Sequence, residues 1–232
     1  MSKNRASANN PDIDPIISLP EPSTVLNILL HTVYGLSCTH YSPSLSDLSF
    51  AISILPKYGL PVSTHLAPSA PLTSTLLTHA RTSPLEVYTL AASLDLSHIA
   101  TSASLYLVSF PLSSLTDEYA LQMGPVYLKR LFFLHLGRTD ALKRLLLAPP
   151  RPHQPILGCD YVEQKRVTRA WALASAYLML DGRPDMSVNA VEATLGPLAD
   201  KVGCEGCKAA LVERVREVVM QWSAVKVRGA LL

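Results

Sequence analysis

From Ser23 onward, apolar residues recur every three or four positions, and prolines, glycines and serines punctuate the runs. That period predicts α-helices. Val25, Leu26, Leu29, Leu30, Val33 and Tyr34 share one broad helical face, with Ser23 as the expected N-cap and Gly35 as the left-handed residue that ends the helix. A second helix is expected to open at Ser46 and run through Leu48, Ala51, Ile52, Leu55 and Tyr58, kinked at Pro56 and stopped by Gly59-Leu60-Pro61. A short helix near 62–67 and one through Leu72, Leu76 and Leu77 follow. Ser83-Pro84-Leu85-Glu86 is a start signal, with serine as cap and proline at the first helical position, and it opens a helix pair that Pro111 ends. Helices near 116–135 and 139–147, divided by Gly137, come next. Beyond them, patterns cover 160–180, 187–200 and 207–227. One segment, Ile16–Leu19, reads as a strand. The expected fold class is mainly α with one or two short strands.

The punctuation also divides the chain. Residues 1–14 are polar and proline-containing and are expected to be a disordered tail. Residues 15–110 form a first unit and 111–147 a helical extension. The stretch 148–158 holds four prolines and is the expected linker to a helical segment over 159–232.

Composition narrows the function classes. The chain has 232 residues, 48% hydrophobic and 16% charged, with a net charge of +2. That supplies a sizeable core but no strong field for nucleic acid or anionic lipid, so neither partner is expected. The longest apolar run, Ala170 to Leu180, falls short of the ~20 residues that span a bilayer, and the first residues lack the apolar core of a secretion signal. Four cysteines in a chain of this size do not make a disulfide framework, so a reduced cytoplasmic or nuclear setting is expected.

Chemical motifs are sparse. No G-x-S-x-G and no phosphate-cradling glycine loop is present, so no catalytic residue and no cofactor is expected. His31, His79 and His98 fall within helical patterns, and Lys165, Arg166 and Arg169 make one basic helical face best read as solvated. Cys204-Glu205-Gly206-Cys207 has the spacing of half a zinc site. The other half would have to come from upstream, where Cys159 and His153 are the nearest candidates. Two ligands at a recognised spacing are a weak match, so the expectation is no metal: a tight turn before the last helix, its thiols packed as small apolar groups.

The order strand, Leu19-Pro20-Glu21-Pro22-Ser23, a helix ending Val33-Tyr34-Gly35, then a helix ending Lys57-Tyr58-Gly59-Leu60 resembles the second half of a BTB/POZ domain. Ser83 to Ala91 followed by Leu94-Asp95-Leu96 is similar to the helix pair after that domain. A proline-rich connection and a helical tail bearing Trp171, Cys204, Cys207 and Trp222 are similar to fungal members. The resemblance implies a non-enzymatic protein–protein interaction module. The first half of the family's fold is not found ahead of Ile16, which points to a truncated gene product or a natural short form. Ile17, Leu19, Val25, Leu29, Val33, Leu48 and Phe50 are then the expected partner-binding residues, because the missing half would have covered part of them, and self-association through 16–55 is expected. The family also includes substrate adaptors for cullin-type ubiquitin ligases. These carry an apolar-x-acid triplet where this chain reads Asp47-Leu48-Ser49-Phe50, so binding to a cullin scaffold is expected to be weak or absent. A zinc- or nucleic-acid-binding regulator is the remaining alternative.

Overall fold

The structure, a computed structural model, describes residues 18–225. It is mainly helical, as the period predicted: α1 Ser23–Val33, α2 Leu45–Ile54, α3 Val62–His65, α4 Pro71–Thr78, α5 Pro84–Ser93, α6 Ser97–Ser104, α7 Asp117–Leu147, α8 Tyr161–Leu180, α9 Val188–Leu195 and α10 Glu205–Ala224. The segment expected to be a disordered tail, and with it Ile16 and Ile17, lies outside the described residues. Ser18 and Leu19 carry no strand assignment, and the sole bridge pair among the described residues joins Ile156 and Cys159.

Local chemistry explains most helix boundaries. α1 ends in a left-handed glycine, Gly35 at φ +65°, and the Leu36 N–H reaches back to the His31 carbonyl at 2.8 Å. That bond satisfies a carbonyl the helix leaves free. Ser23 lies inside α1 instead of capping it, with Pro22 at the cap position. Ser44, not Ser46, caps α2, its hydroxyl accepting from the Asp47 N–H at 3.1 Å. Pro56 sits in a 3₁₀ turn, Leu55–Tyr58, that extends α2 and stops at Gly59. Gly137 does not divide α7. The break falls at Gly124, whose φ of 69° and ψ of 169° no helix contains. Pro125 then restarts the helix, at a position where its missing N–H costs nothing.

Two hydrophobic cores form. The first gathers α1 to α6 and the start of α7 around Val25, Leu48, Leu55, Leu76, Tyr88 and Ile99. The Tyr88 hydroxyl donates to the Tyr127 carbonyl at 2.8 Å, and the Tyr127 hydroxyl donates to Asp95 at 2.7 Å, which ties α5 to α7. The second core gathers the end of α7 with α8 to α10 around Leu146, Trp171, Leu195, Leu211, Val218 and Trp222. The change from one core to the other therefore falls inside α7. The proline-rich stretch 148–158 begins against the second unit, its Ala148 carbonyl accepting from Arg214. Buried Trp171 from α8 and half-buried Arg214 from α10 meet the free carbonyls at the end of α7: Trp171 Nε1 donates to Leu146 O at 2.9 Å, and Arg214 donates to Leu145 O at 2.7 Å and Ala148 O at 3.0 Å. A helix end buried without such donors would be costly.

Glu21 gives the Leu-Pro-Glu…Lys-Tyr pattern a physical reason. Its carboxylate is buried and pairs with Lys57, and its pKa is held below the usual range first by the Lys57 bond and then by Tyr58. The segment before α1 is thereby fastened to the turn after α2.

Between the two cores, His135 is buried and its Nε2–H donates to the Leu107 carbonyl at 2.9 Å. Burial pushes its pKa below the ordinary 6.5. A depressed folded pKa means that the neutral ring's contribution is fully present above about pH 6.5 and is lost as pH falls through the folded value. We expect melting temperature to fall more steeply on acidification from about pH 7.5 to 5.5 in the native protein than in a His135→Gln variant. Parallel curves would show that His135 does not titrate against folding.

Candidate functional site

The second unit brings four metal-ligating side chains together. The segment after α7 turns at Gly158, φ +84°, where Ile156 and Cys159 exchange two backbone hydrogen bonds of 3.2 and 3.0 Å. That turn aims Cys159 inward at the start of α8, which Asp160 caps through the Val162 and Glu163 amides. Cys204 occupies the cap position of α10, and Cys207 lies one turn further on, buried against the second core. His153 reaches the same point from the proline-rich stretch.

His153 Nε2 stands 3.3 Å from Cys204 Sγ, 3.3 Å from Cys207 Sγ and 3.5 Å from Cys159 Sγ. Cys159 Sγ and Cys207 Sγ are 3.5 Å apart, and all four ligand atoms lie within 4.8 Å of one another. Among the described residues this is the one group of three or more His, Cys, Asp or Glu side chains that converge in this way. The other ring nitrogen, Nδ1, is 2.6 Å from the Gln154 carbonyl, to which it donates as N–H. That bond fixes the tautomer in which Nε2 carries its lone pair into the cluster. Gly206 leaves room for the ring, since a Cβ there would lie 2.9 Å from His153 Cδ2.

The three thiols are electrostatically unequal. The nearby Cys207 N–H is the main reason the Cys204 pKa is lowered to about 7; Cys159, the Gly206 N–H and His153 add to the effect. A helix N-terminus favours the thiolate in this way. Burial first, and then Cys159, pushes Cys207 up to about 12, and burial also raises Cys159. The Gln154 carbonyl raises His153. Three sulfurs and one imidazole nitrogen converging on a point can bind a soft or borderline cation. The cluster borders an open cleft of about 880 Å³ walled by Leu157, Val167, Leu198 and Val202.

Comparison with protein families, characterised proteins and solved structures finds no match. The chemistry of this chain therefore rests on its own residues.

Cys204 and Cys207 do not stand alone: the two nearest upstream candidates in the sequence, Cys159 and His153, lie beside them. In sequence, the available signal was a glycine directly before Cys159 and another inside the Cys pair. On α8, Arg166 pairs with Glu163 at 3.1 Å, and both line the cleft beside the cluster. His31 and His98 bond backbone carbonyls at 2.8 and 2.9 Å, consistent with structural roles.

The expected partner-binding residues separate into two groups. Val25, Leu29 and Leu48 are corrected: they are 0%, 5% and 0% exposed, because α1 and α2 pack directly onto one another within the first core. Leu19, Val33 and Phe50 are exposed, and Ile17 lies outside the described residues. The sequence reading missed Leu30, Tyr34 and Leu36 as exposed groups beside Val33.

Proposed function

We propose that the chain is a non-enzymatic protein–protein interaction module of BTB/POZ type that associates through the solvent face of α1. The observation that carries this reading is an apolar surface on one helix end: Leu30, Val33, Tyr34 and Leu36 are 57%, 52%, 73% and 56% exposed. Four large apolar groups clustered within seven residues are unusual for a face that meets only water. Val33 and Leu36 also wall a shallow cleft of about 230 Å³ with Pro71 and Leu72. The resemblance supports the same reading, since this helix would meet the first half of a complete domain. The Glu21–Lys57 pair, which holds the segment before α1 in place, supports it as well.

Sedimentation and light scattering of the full chain test the proposal. Native protein is expected to associate in a concentration-dependent way. The double variant Leu30→Glu/Tyr34→Glu is expected to be monomeric with unchanged helical circular dichroism, because both side chains lie outside the core. A native protein that stays strictly monomeric at high concentration, or a double variant that associates equally well, would overturn it.

A further inference from the structure

The geometry points to a structural zinc site made by Cys159, Cys204, Cys207 and His153, which fastens the proline-rich stretch and the start of α8 to the N-terminus of α10. A tetrahedral zinc with Zn–S near 2.3 Å and Zn–N near 2.0–2.1 Å has ligand–ligand edges of roughly 3.5–3.8 Å. Four of the six separations, 3.3 to 3.5 Å, are close to those edges, and all six are within 4.8 Å. They are far from a disulfide, whose sulfurs are about 2.05 Å apart. Three sulfurs and one imidazole nitrogen also form a donor set that structural zinc sites use, and it leaves no fourth position for a water or substrate.

The surroundings fit the same ion. Binding forms three Zn–S bonds and one Zn–N bond and releases up to three thiol protons to solvent, so Zn²⁺ with three thiolates and a neutral imidazole carries one net negative charge. Cys204 holds the cap position of α10, so the positive end of this 20-residue helix faces the centre. The Gln154 carbonyl accepts from Nδ1–H and so orients the imidazole, as carbonyls do for metal-bound histidines. Gln164 Nε2 lies 3.5 Å from the Cys159 carbonyl, towards which its N–H donates.

The metal would also explain how this stretch keeps its place. Between α7 and α8 the chain has prolines, a two-residue turn and a fully exposed Leu157, which is little apolar burial. A four-ligand clamp supplies the cross-link that packing does not.

Full-length protein, purified under reducing conditions without a metal-affinity step, tests the assignment by elemental analysis. About one zinc per chain is expected. Replacement of the ion by Co²⁺ should give the intense ligand-field and thiolate charge-transfer absorption of a tetrahedral thiolate site. Chelation should lower the melting temperature by roughly 10 °C or more, and restored zinc should reverse the loss. Cys159→Ser and Cys207→Ser should lose the metal, whereas Cys38→Ser, in the first core, should keep it. Should the two ligand variants fail to fold, Gly206→Ala keeps every ligand and favours helix while its methyl crowds His153. It should weaken zinc binding by roughly 10–100-fold in competition with a chelating dye. Unchanged affinity in that variant would remove His153 from the ligand set. Native protein without zinc and without the cobalt spectrum, or with a Cys159–Cys207 disulfide formed in the presence of zinc, would overturn the site.

Discussion

Trp171→Ala is expected to destabilise the second unit by about 3–5 kcal/mol, among the largest losses available to a single substitution in this chain. Trp171 is only 1% exposed and sits on the inner face of α8 within the core shared by the end of α7, α9 and α10. Truncation leaves a cavity that these helices fill only in part, because each is held by its own hydrogen bonds. It also removes the Nε1–H that donates to Leu146 O at 2.9 Å, one of the last carbonyls of α7. Ser175 donates to the same oxygen at 3.2 Å, so that carbonyl keeps one partner, and the cavity dominates the cost. Trp171→Phe keeps most of the ring volume and loses the donor, so its cost is expected to be smaller, about 1–2 kcal/mol. Denaturant unfolding followed by circular dichroism gives both numbers. A Trp171→Ala variant within about 1 kcal/mol of the native protein would show that the second core is not packed as described.

How far the sequence discloses this structure depends on the range of the interaction involved. Helices are legible because their period is local: the apolar positions of α1, α8 and α10 that face the cores are spaced as the pattern requires. Boundaries are less so, because they depend on which of several equivalent residues acts. Ser44 and Ser46 are chemically alike, and the choice between them follows from the register at which Leu48, Ala51 and Ile52 meet the core. Gly124-Pro125 and Gly137 are both plausible breaks in α7. Gly137 continues the helix because its neighbours His135 and Arg138 are anchored on either side of it, to Leu107 in the first unit and to Pro184 and Val225 in the second.

Exposure is harder to infer, since it depends on what packs where. Val25, Leu29 and Leu48 were expected to be stranded by an absent half domain, yet they lie in the contact between α1 and α2, which carries its own cover. Leu30 and Tyr34 belong to the same predicted helical face, but at its edge, where that cover ends. The metal-ligand cluster marks the limit of sequence reasoning. Cys204 and Cys207 are legible because both sit on one helical turn. Their convergence with Cys159 and His153, about fifty residues upstream, requires the stretch between α7 and α8 to meet the N-terminus of α10, and no local pattern encodes that.

Arg138→Ala is expected to cost about 2–4 kcal/mol, and Arg138→Lys to recover only a part of it. Arg138 is 7% exposed, and none of the ion pairs of 4.0 Å or less among the described residues includes it. Its charge is satisfied in another way. Nε donates to Pro184 O at 2.6 Å, Nη1 donates to Val225 O at 2.9 Å, and the guanidinium lies over the Trp222 ring with its carbon 4.5 Å from the centroid. Burial works against the ion, pulling its pKa below the ordinary value, while Asp185 favours it from a greater distance. The arrangement needs a flat, forked donor: two carbonyls on separate segments are reached at once while the plane covers an indole. An ammonium can face one carbonyl or the other and cannot stack. Arg138→Met fills much of the volume and avoids burying a charge, but it leaves both carbonyls without their donor. The expected order of stability is therefore native first, then Lys and Met, then Ala. A local signature should accompany the global loss. Val225 follows the last turn of α10, so freeing its carbonyl should speed hydrogen exchange at Trp222 to Val225 more than at Leu211 to Val215. Uniform acceleration along α10, or a lysine variant as stable as the native protein, would mean that the guanidinium does not join α7 to the end of α10.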